Sequence, residues 1–131
     1  MSLRFKKHYT AAEARRLLPQ VRTWLERLGE LRSELADSDA AVRALAEQGI
    51  DAGGAVVDRW VRQMTAVREL LWEFQSRDIQ IKDLDRGLVD FPAIRDGREV
   101  FLCWEKDEPD IAFWHDLEAG YQGREPLGDG D

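Results

Sequence analysis

The spacing of hydrophobic positions changes along the chain and separates a helical part, a sheet part and a tail. Leu17, Val21, Trp24, Leu28, Leu31 and Leu35 recur at intervals of four and three, with Leu18 and Leu25 widening the stripe. This is the period of one helix face. Thr10-Ala-Ala-Glu13 has the pattern of a capping box and starts the helix. Ser38 takes the next slot, and Val42 and Leu45 resume the register before Gly49, so the pattern predicts one long helix over 11–48. A break at Asp37-Ser38-Asp39 is the alternative. Pro19 removes an amide donor and presses on the carbonyl of Arg15, at a cost of about 3 kcal/mol unless the helix bends, so a kink is expected there. After a turn at 49–54, a second helix begins near Ala55 with Val57, Trp60, Met64, Val67, Leu71 and Phe74 on one face. Two such stripes joined by a short glycine-bearing turn predict an antiparallel helical hairpin whose apolar faces form core. Its length also allows a second hairpin to dock as a four-helix dimer, with Trp24, Trp60 and Trp72 as candidate contacts.

Beyond Ser76 the period becomes two. Ile79 and Ile81 alternate with Gln80 and Lys82 as a short first strand. Asp96-Gly97 then separates two apolar runs and predicts a two-residue type I′ hairpin. That turn pairs Arg95 with Arg98, Ala93 with Val100, Phe91 with Leu102 and Val89 with Trp104, an apolar face for the helices to cover. The other face pairs Asp90 with Cys103, Pro92 with Phe101 and Ile94 with Glu99. A further strand is expected over 110–115. With a four-residue loop at Lys106–Pro109, Ile111 faces Trp104, Phe113 faces Leu102 and His115 falls opposite Val100. Trp114 then joins Phe101 on the outer face, and a one-residue change in the loop exchanges Trp114 and His115. An outer face carrying Pro92, Phe101, Cys103 and Trp114 is too apolar for water. The tail (Leu117, Tyr121, Leu127), a second subunit or a ligand would cover it, and the end of the tail at 128–130 is expected to fray. Leu3 and Phe5 alternate with charges, so residues 3–9 could add an edge strand.

These elements predict an α+β chain: a long antiparallel helical hairpin packed on one face of a three- to four-stranded antiparallel β-meander. The organisation is one domain over 1–131, with the hairpin at 10–77, the meander at 78–116 and the tail at 117–131. At 131 residues, 34% charged and 44% hydrophobic, the composition is that of a folded globular chain. No apolar run is long enough to span a membrane, and the N-terminus lacks the apolar stretch of a secretory signal. The single cysteine excludes an intrachain disulfide, and the chain reads as cytoplasmic. The net charge of -7 is uneven. Residues 77–131 hold 7 Lys/Arg against 15 Asp/Glu, which argues against nucleic acid and leaves a basic protein partner or a divalent metal as better matches.

Candidate chemistry gathers around Cys103, His115, Asp116 and Glu118, with Asp90 across the hairpin. His115 and Glu118 with Cys103 or Asp90 could hold a divalent metal such as zinc. Against this stands the ordinary role of a strand-end histidine, hydrogen bonding to a neighbouring carbonyl or carboxylate. Cys103 with His115 is the one conceivable nucleophilic pair, and the expected register puts the two on opposite faces. Asp107, Glu108 and Asp110 lack a calcium-loop pattern. Arg124, Phe101, Trp114 and Pro92 are the candidates for an interface or ligand face.

The segments Thr10-Ala-Ala-Glu-Ala, Leu17-Leu-Pro19, Lys82-Asp-Leu-Asp-Arg-Gly-Leu-Val-Asp-Phe-Pro92, Leu102-Cys-Trp104, Glu108-Pro, Trp114-His115 and Gly123-Arg124 resemble the bacterial domain of unknown function 2203 family. The resemblance covers essentially the whole chain. Asp78 departs from it, standing where a glycine is expected between helix and first strand. The resemblance implies a stand-alone domain of one fold and brings no established activity or catalytic residues. With no recognisable catalytic set, the leading expectation is a non-enzymatic homodimerisation module. A metal- or ligand-binding protein is the alternative.

Overall fold

The first helix, α1 (Ala11–Glu47), starts at the cap written in its sequence. The amide of Glu13 donates to Thr10 Oγ1 (3.1 Å) and the amide of Thr10 donates to Glu13 Oε1 (3.0 Å), so two orphan donors of the first turn are met reciprocally. The computed structural model describes residues 3–49 and 54–128. Most of the turn expected at 49–54 lies outside these residues, as does the end of the tail at 129–131. α1 continues unbroken through Pro19 and through Asp37-Ser38-Asp39, and the second helix is α2 (Ala55–Gln75). Among the described residues no helix is long and apolar enough to cross a membrane.

The chain forms two compact units, Met1–Thr23 with Phe74–Asp131 and Trp24–Glu73. The second unit is helical. In it Ser38, buried on α1, donates its hydroxyl to Gln63 Oε1 of α2 (2.6 Å), a polar bond in the middle of the seam between the two helices.

The first unit holds the sheet: β1 (Gln80–Asp83), β2 (Leu88–Arg95), β3 (Arg98–Glu105), β4 (Phe113–Asp116) and β5 (Glu125–Pro126), antiparallel in chain order. The α+β class holds, with five strands rather than three or four. The edge strand comes from the tail, and residues 3–9 form no strand. Asp96 and Gly97 both take positive φ (53° and 79°), as a type I′ turn requires, and every β2–β3 pair falls in the expected register.

β4 differs. Val100 faces Asp116, Phe101 faces His115, Leu102 faces Trp114 and Cys103 faces Phe113, one residue beyond the expected pairing. The cause lies in the β3–β4 connection, which is longer than a four-residue loop. Its first turn is closed by Glu108 N–H to the Glu105 carbonyl (2.8 Å), by Glu105 N–H to Glu108 Oε1 (2.8 Å) and by the Trp104 indole to the Glu108 carbonyl (3.1 Å). From α1, Arg22 stacks on Trp104 (4.8 Å) and donates to the carbonyls of Lys106 and Glu108, and Arg15 donates to that of Ile111. A shift of one residue carries every side chain of β4 to the opposite face. Trp114 therefore lies on the face of Val89, Phe91 and Leu102, under the guanidiniums of Arg95 and Arg98, and His115 lies on the other face.

The buried residues of α1 within this unit are Ala11, Ala14, Leu18 and Val21. Leu17, expected at the centre of the stripe, is only half-buried. The end of α2 explains Asp78. Ile79 N–H donates to the Phe74 carbonyl and Asp78 N–H to the Gln75 carbonyl (both 3.1 Å), the two bonds of a Schellman cap, with Phe74 and Ile79 buried against it. The cap requires positive φ at Asp78, which has 59°. Aspartate tolerates that conformation better than most side chains. Its carboxylate also receives the amides of Lys6 (3.1 Å) and Lys7 (2.9 Å), a role glycine could not fill.

Asp78→Ala keeps the left-handed strain and loses both acceptor bonds, so it should destabilise the fold by about 1–2 kcal/mol or more. Asp78→Gly, which relieves the strain, should cost less. Urea denaturation of the three proteins measures the order.

Candidate functional site

Alternation along the strands puts Asp90 of β2, Phe101 and Cys103 of β3, and Phe113 and His115 of β4 on one face of the sheet. β2 and β4 are both neighbours of β3, so they lie about 10 Å apart. Aspartate and histidine span that gap across the small side chain of Cys103. His115 Nε2 sits 3.1 Å from both carboxylate oxygens of Asp90, and His115 Nδ1 is 2.7 Å from the Asp116 carbonyl. The Cys103 thiol donates to Asp90. The carboxylate, thiol and ring nitrogen lie within 4.8 Å of one another, and all three residues are at most 2% exposed.

Burial pushes the His115 imidazole toward its neutral form. The hydrogen bonds to Asp90 and the Asp116 carbonyl, with the charge of Asp90, outweigh that and leave its pKa above the ordinary value. Cys103 is also shifted upward, the wrong direction for a nucleophile. Burial, then the negative charge of Asp90, raise its thiol pKa far above normal. The expectation that Cys103 and His115 occupy opposite faces is thus corrected by the β4 register. Even so, the pair is not an activated thiolate–imidazolium, which needs a lowered thiol pKa.

Two segments of the chain cover this face. Phe5 packs on Phe101 (5.4 Å between centroids), which also touches the His115 ring (5.6 Å) and the Lys82 ammonium (4.7 Å). Phe5 is held there because Glu99 accepts the amides of Arg4 (2.6 Å) and Phe5 (3.0 Å) and faces His8 Nε2 (2.8 Å). Pro92 is buried, and its carbonyl accepts the amide of Tyr9 (2.8 Å). From the tail, the Arg124 guanidinium lies on Phe113 (3.9 Å) and Tyr121 (4.6 Å) and pairs with Glu108, while its Nε is buried without a hydrogen-bond partner among the described residues. Tyr121 also carries Arg86 (4.4 Å), which pairs with Glu105 (2.9 Å).

The expected site residues therefore separate. Asp90, Cys103 and His115 come together. Glu118 does not join them: its side chain is 83% exposed and pairs with Arg4 (2.7 Å). Of the expected interface residues, Phe101 and Pro92 are buried by their own chain and Trp114 lies on the opposite face. Arg124 serves as cover rather than as open surface. The N-terminal part of this cover was visible in sequence only as the alternation of Leu3 and Phe5. The anchoring role of Glu99 had no local signal, because its partners lie more than 90 positions away.

A family model described as "Uncharacterized conserved protein (DUF2203)" matches residues 7–127. No curated protein and no solved structure matches the chain.

Burial raises the Glu99 pKa, but the bonds from Arg4, His8 and Phe5 together bring it below the ordinary carboxylate value. Its contribution is therefore complete above the ordinary range and is lost as pH falls through its own lower value. The Arg4 and Phe5 amide resonances should hold their neutral-pH positions through the ordinary glutamate range and then move together in more acidic solution. Glu99→Gln should shift both already at neutral pH. An NMR pH titration of the amides checks both outcomes.

Proposed function

The chain belongs to the DUF2203 family over residues 7–127, and from that premise we propose that it is a non-catalytic interaction module that pairs with a second copy of itself through its helical unit. The observation that carries this reading is the exposure of α2. Among its 21 residues only Phe74 is buried, while Val61 (49%), Met64 (39%) and Trp72 (63%) stand exposed on one helix face. At 100° per residue, Val61, Met64 and Trp72 fall within one 80° arc. Gln63, which accepts the Ser38 hydroxyl of α1, lies on an adjacent arc. The apolar surface of α2 is thus wider than one neighbouring helix covers.

Beside that arc runs an open groove of about 390 Å³ lined by Arg32, Leu35, Ala36 and Asp39 of α1 and Trp60 and Met64 of α2. Arg32 and Asp39 flank Leu35 and Ala36 on one side of the helix, with opposite charges two turns apart. Two-fold pairing centred near Leu35 sets the apolar residues of this groove, Leu35, Ala36, Trp60 and Met64, against those of the other copy. On the outer sheet face Pro92, Phe101 and Cys103 are buried by the chain itself.

Sedimentation equilibrium on the full chain at tens of micromolar should give a dimer. Met64→Glu should weaken it at least tenfold while leaving the far-ultraviolet circular dichroism unchanged, because Met64 is exposed within one copy. A wild-type monomer at that concentration, or a Met64→Glu dimer of undiminished affinity, overturns the reading.

A further inference from the structure

We propose that Asp90, Cys103 and His115 are a three-ligand site for one divalent cation of the zinc class. The inference is independent of self-association, since all three residues belong to the sheet unit.

The geometry of His115 leads to it. Its Nδ1 lies 2.7 Å from a backbone carbonyl, which can only accept, so Nδ1 carries a proton. In the neutral ring Nε2 is then a lone pair, and that lone pair points at both oxygens of a carboxylate, each 3.1 Å away. The sulfur of Cys103 completes the cluster, with every ligand atom within 4.8 Å of the others. A lone pair on Nε2 that faces a buried carboxylate needs a cation between them, and the candidates are a proton on Nε2 or a metal ion.

Two details favour the metal. A charge-assisted N–H···O bond is typically about 2.7–2.9 Å long and directed at one oxygen. Here Nε2 is equidistant from two oxygens at a longer separation, a spacing suited to ligands around a shared ion. The bond from Nδ1 to the Asp116 carbonyl is moreover the outer bond that metal-binding histidines ordinarily make, fixing the tautomer with Nε2 free to coordinate.

The charge balance also fits. With a proton, the buried site holds Asp90 as carboxylate, His115 as imidazolium and Cys103 as thiol, and sums to zero. A divalent ion entering with loss of two protons, one from His115 and one from Cys103, leaves carboxylate, neutral imidazole, thiolate and metal, again summing to zero. The exchange adds no net charge to a buried place. The nearby cations do not oppose it strongly: Arg124 is paired with Glu108, and the Lys82 ammonium lies on the Phe101 ring. A sulfur, nitrogen and oxygen set suits Zn²⁺ and Co²⁺ rather than Mg²⁺ or Ca²⁺. Glu118 is not the fourth ligand, because it is exposed on Arg4, so the described residues fill three positions.

Co²⁺ titration of the full wild-type protein, first stripped with a chelator, tests the site without any variant. One equivalent should bind and produce the near-ultraviolet thiolate-to-cobalt absorption, and Zn²⁺ should displace it. Cys103→Ser should abolish that absorption. His115→Ala should lower Co²⁺ affinity by more than the roughly 10–100-fold typical of losing a supporting group, with circular dichroism confirming the fold. Wild-type protein that binds no Co²⁺, or binds it without thiolate absorption, overturns the proposal and leaves a proton between Asp90 and His115. Full affinity in both variants overturns it equally.

Discussion

The type I′ turn at Asp96-Gly97 constrains everything else in the sheet unit. With both residues at positive φ, β2 and β3 can pair in only one register, and that register sets Asp90 directly across from Cys103. β4 then docks on β3 according to the length of its connection, which α1 controls through Arg15 and Arg22. The helix thus acts on the polar cluster at a distance. By gripping loop carbonyls it decides which face of the sheet His115 occupies. A loop one residue shorter would place Trp114 beside Phe101 and leave Asp90 facing no imidazole.

The acidic character of this half has a specific structural use. Glu99 and Asp78 accept backbone amides from residues 4–7, Glu105 and Glu108 hold Arg86 and Arg124, and Asp90 faces His115. The acids act as acceptors for irregular backbone and as counter-ions for guanidiniums lying on aromatic rings. A carboxylate is suited to both tasks, because it accepts several hydrogen bonds at once.

Much of this was legible in the sequence. The helices, the capping box, the turn and the full β2–β3 register follow from period and from residues with restricted φ. The β2–β3 register paired Asp90 with Cys103, and His115 was grouped with them for its ligand chemistry although the expected β4 register put it on the other face. Sequence pattern failed at β4, since Lys106–Pro109 looks like a complete turn and the bonds that lengthen the loop come from α1. It failed too at Glu118, whose short sequence distance from His115 suggested proximity although Arg4 draws it away. The cover on the outer face was divided wrongly for a related reason. Hydrophobic period reports which side of a strand is buried but not by what, and the anchoring contacts of Phe5 span most of the chain. In α2 the pattern correctly found an apolar stripe, whereas its exposure depends on how many neighbours the stripe has.

The clasp made by residues 4–8 bears on how the molecule is assembled. Its bonds to Glu99 and Glu118 close loops of 95 and 114 residues, while the β2–β3 hairpin closes through a two-residue turn. Local contacts form quickly and distant ones late, so the hairpin should stand with Phe101 bare before the clasp arrives. During that interval the sheet offers an aromatic surface, a feature by which partly folded chains adhere to one another. Closing the clasp lays Phe5 on Phe101 and so ends that interval.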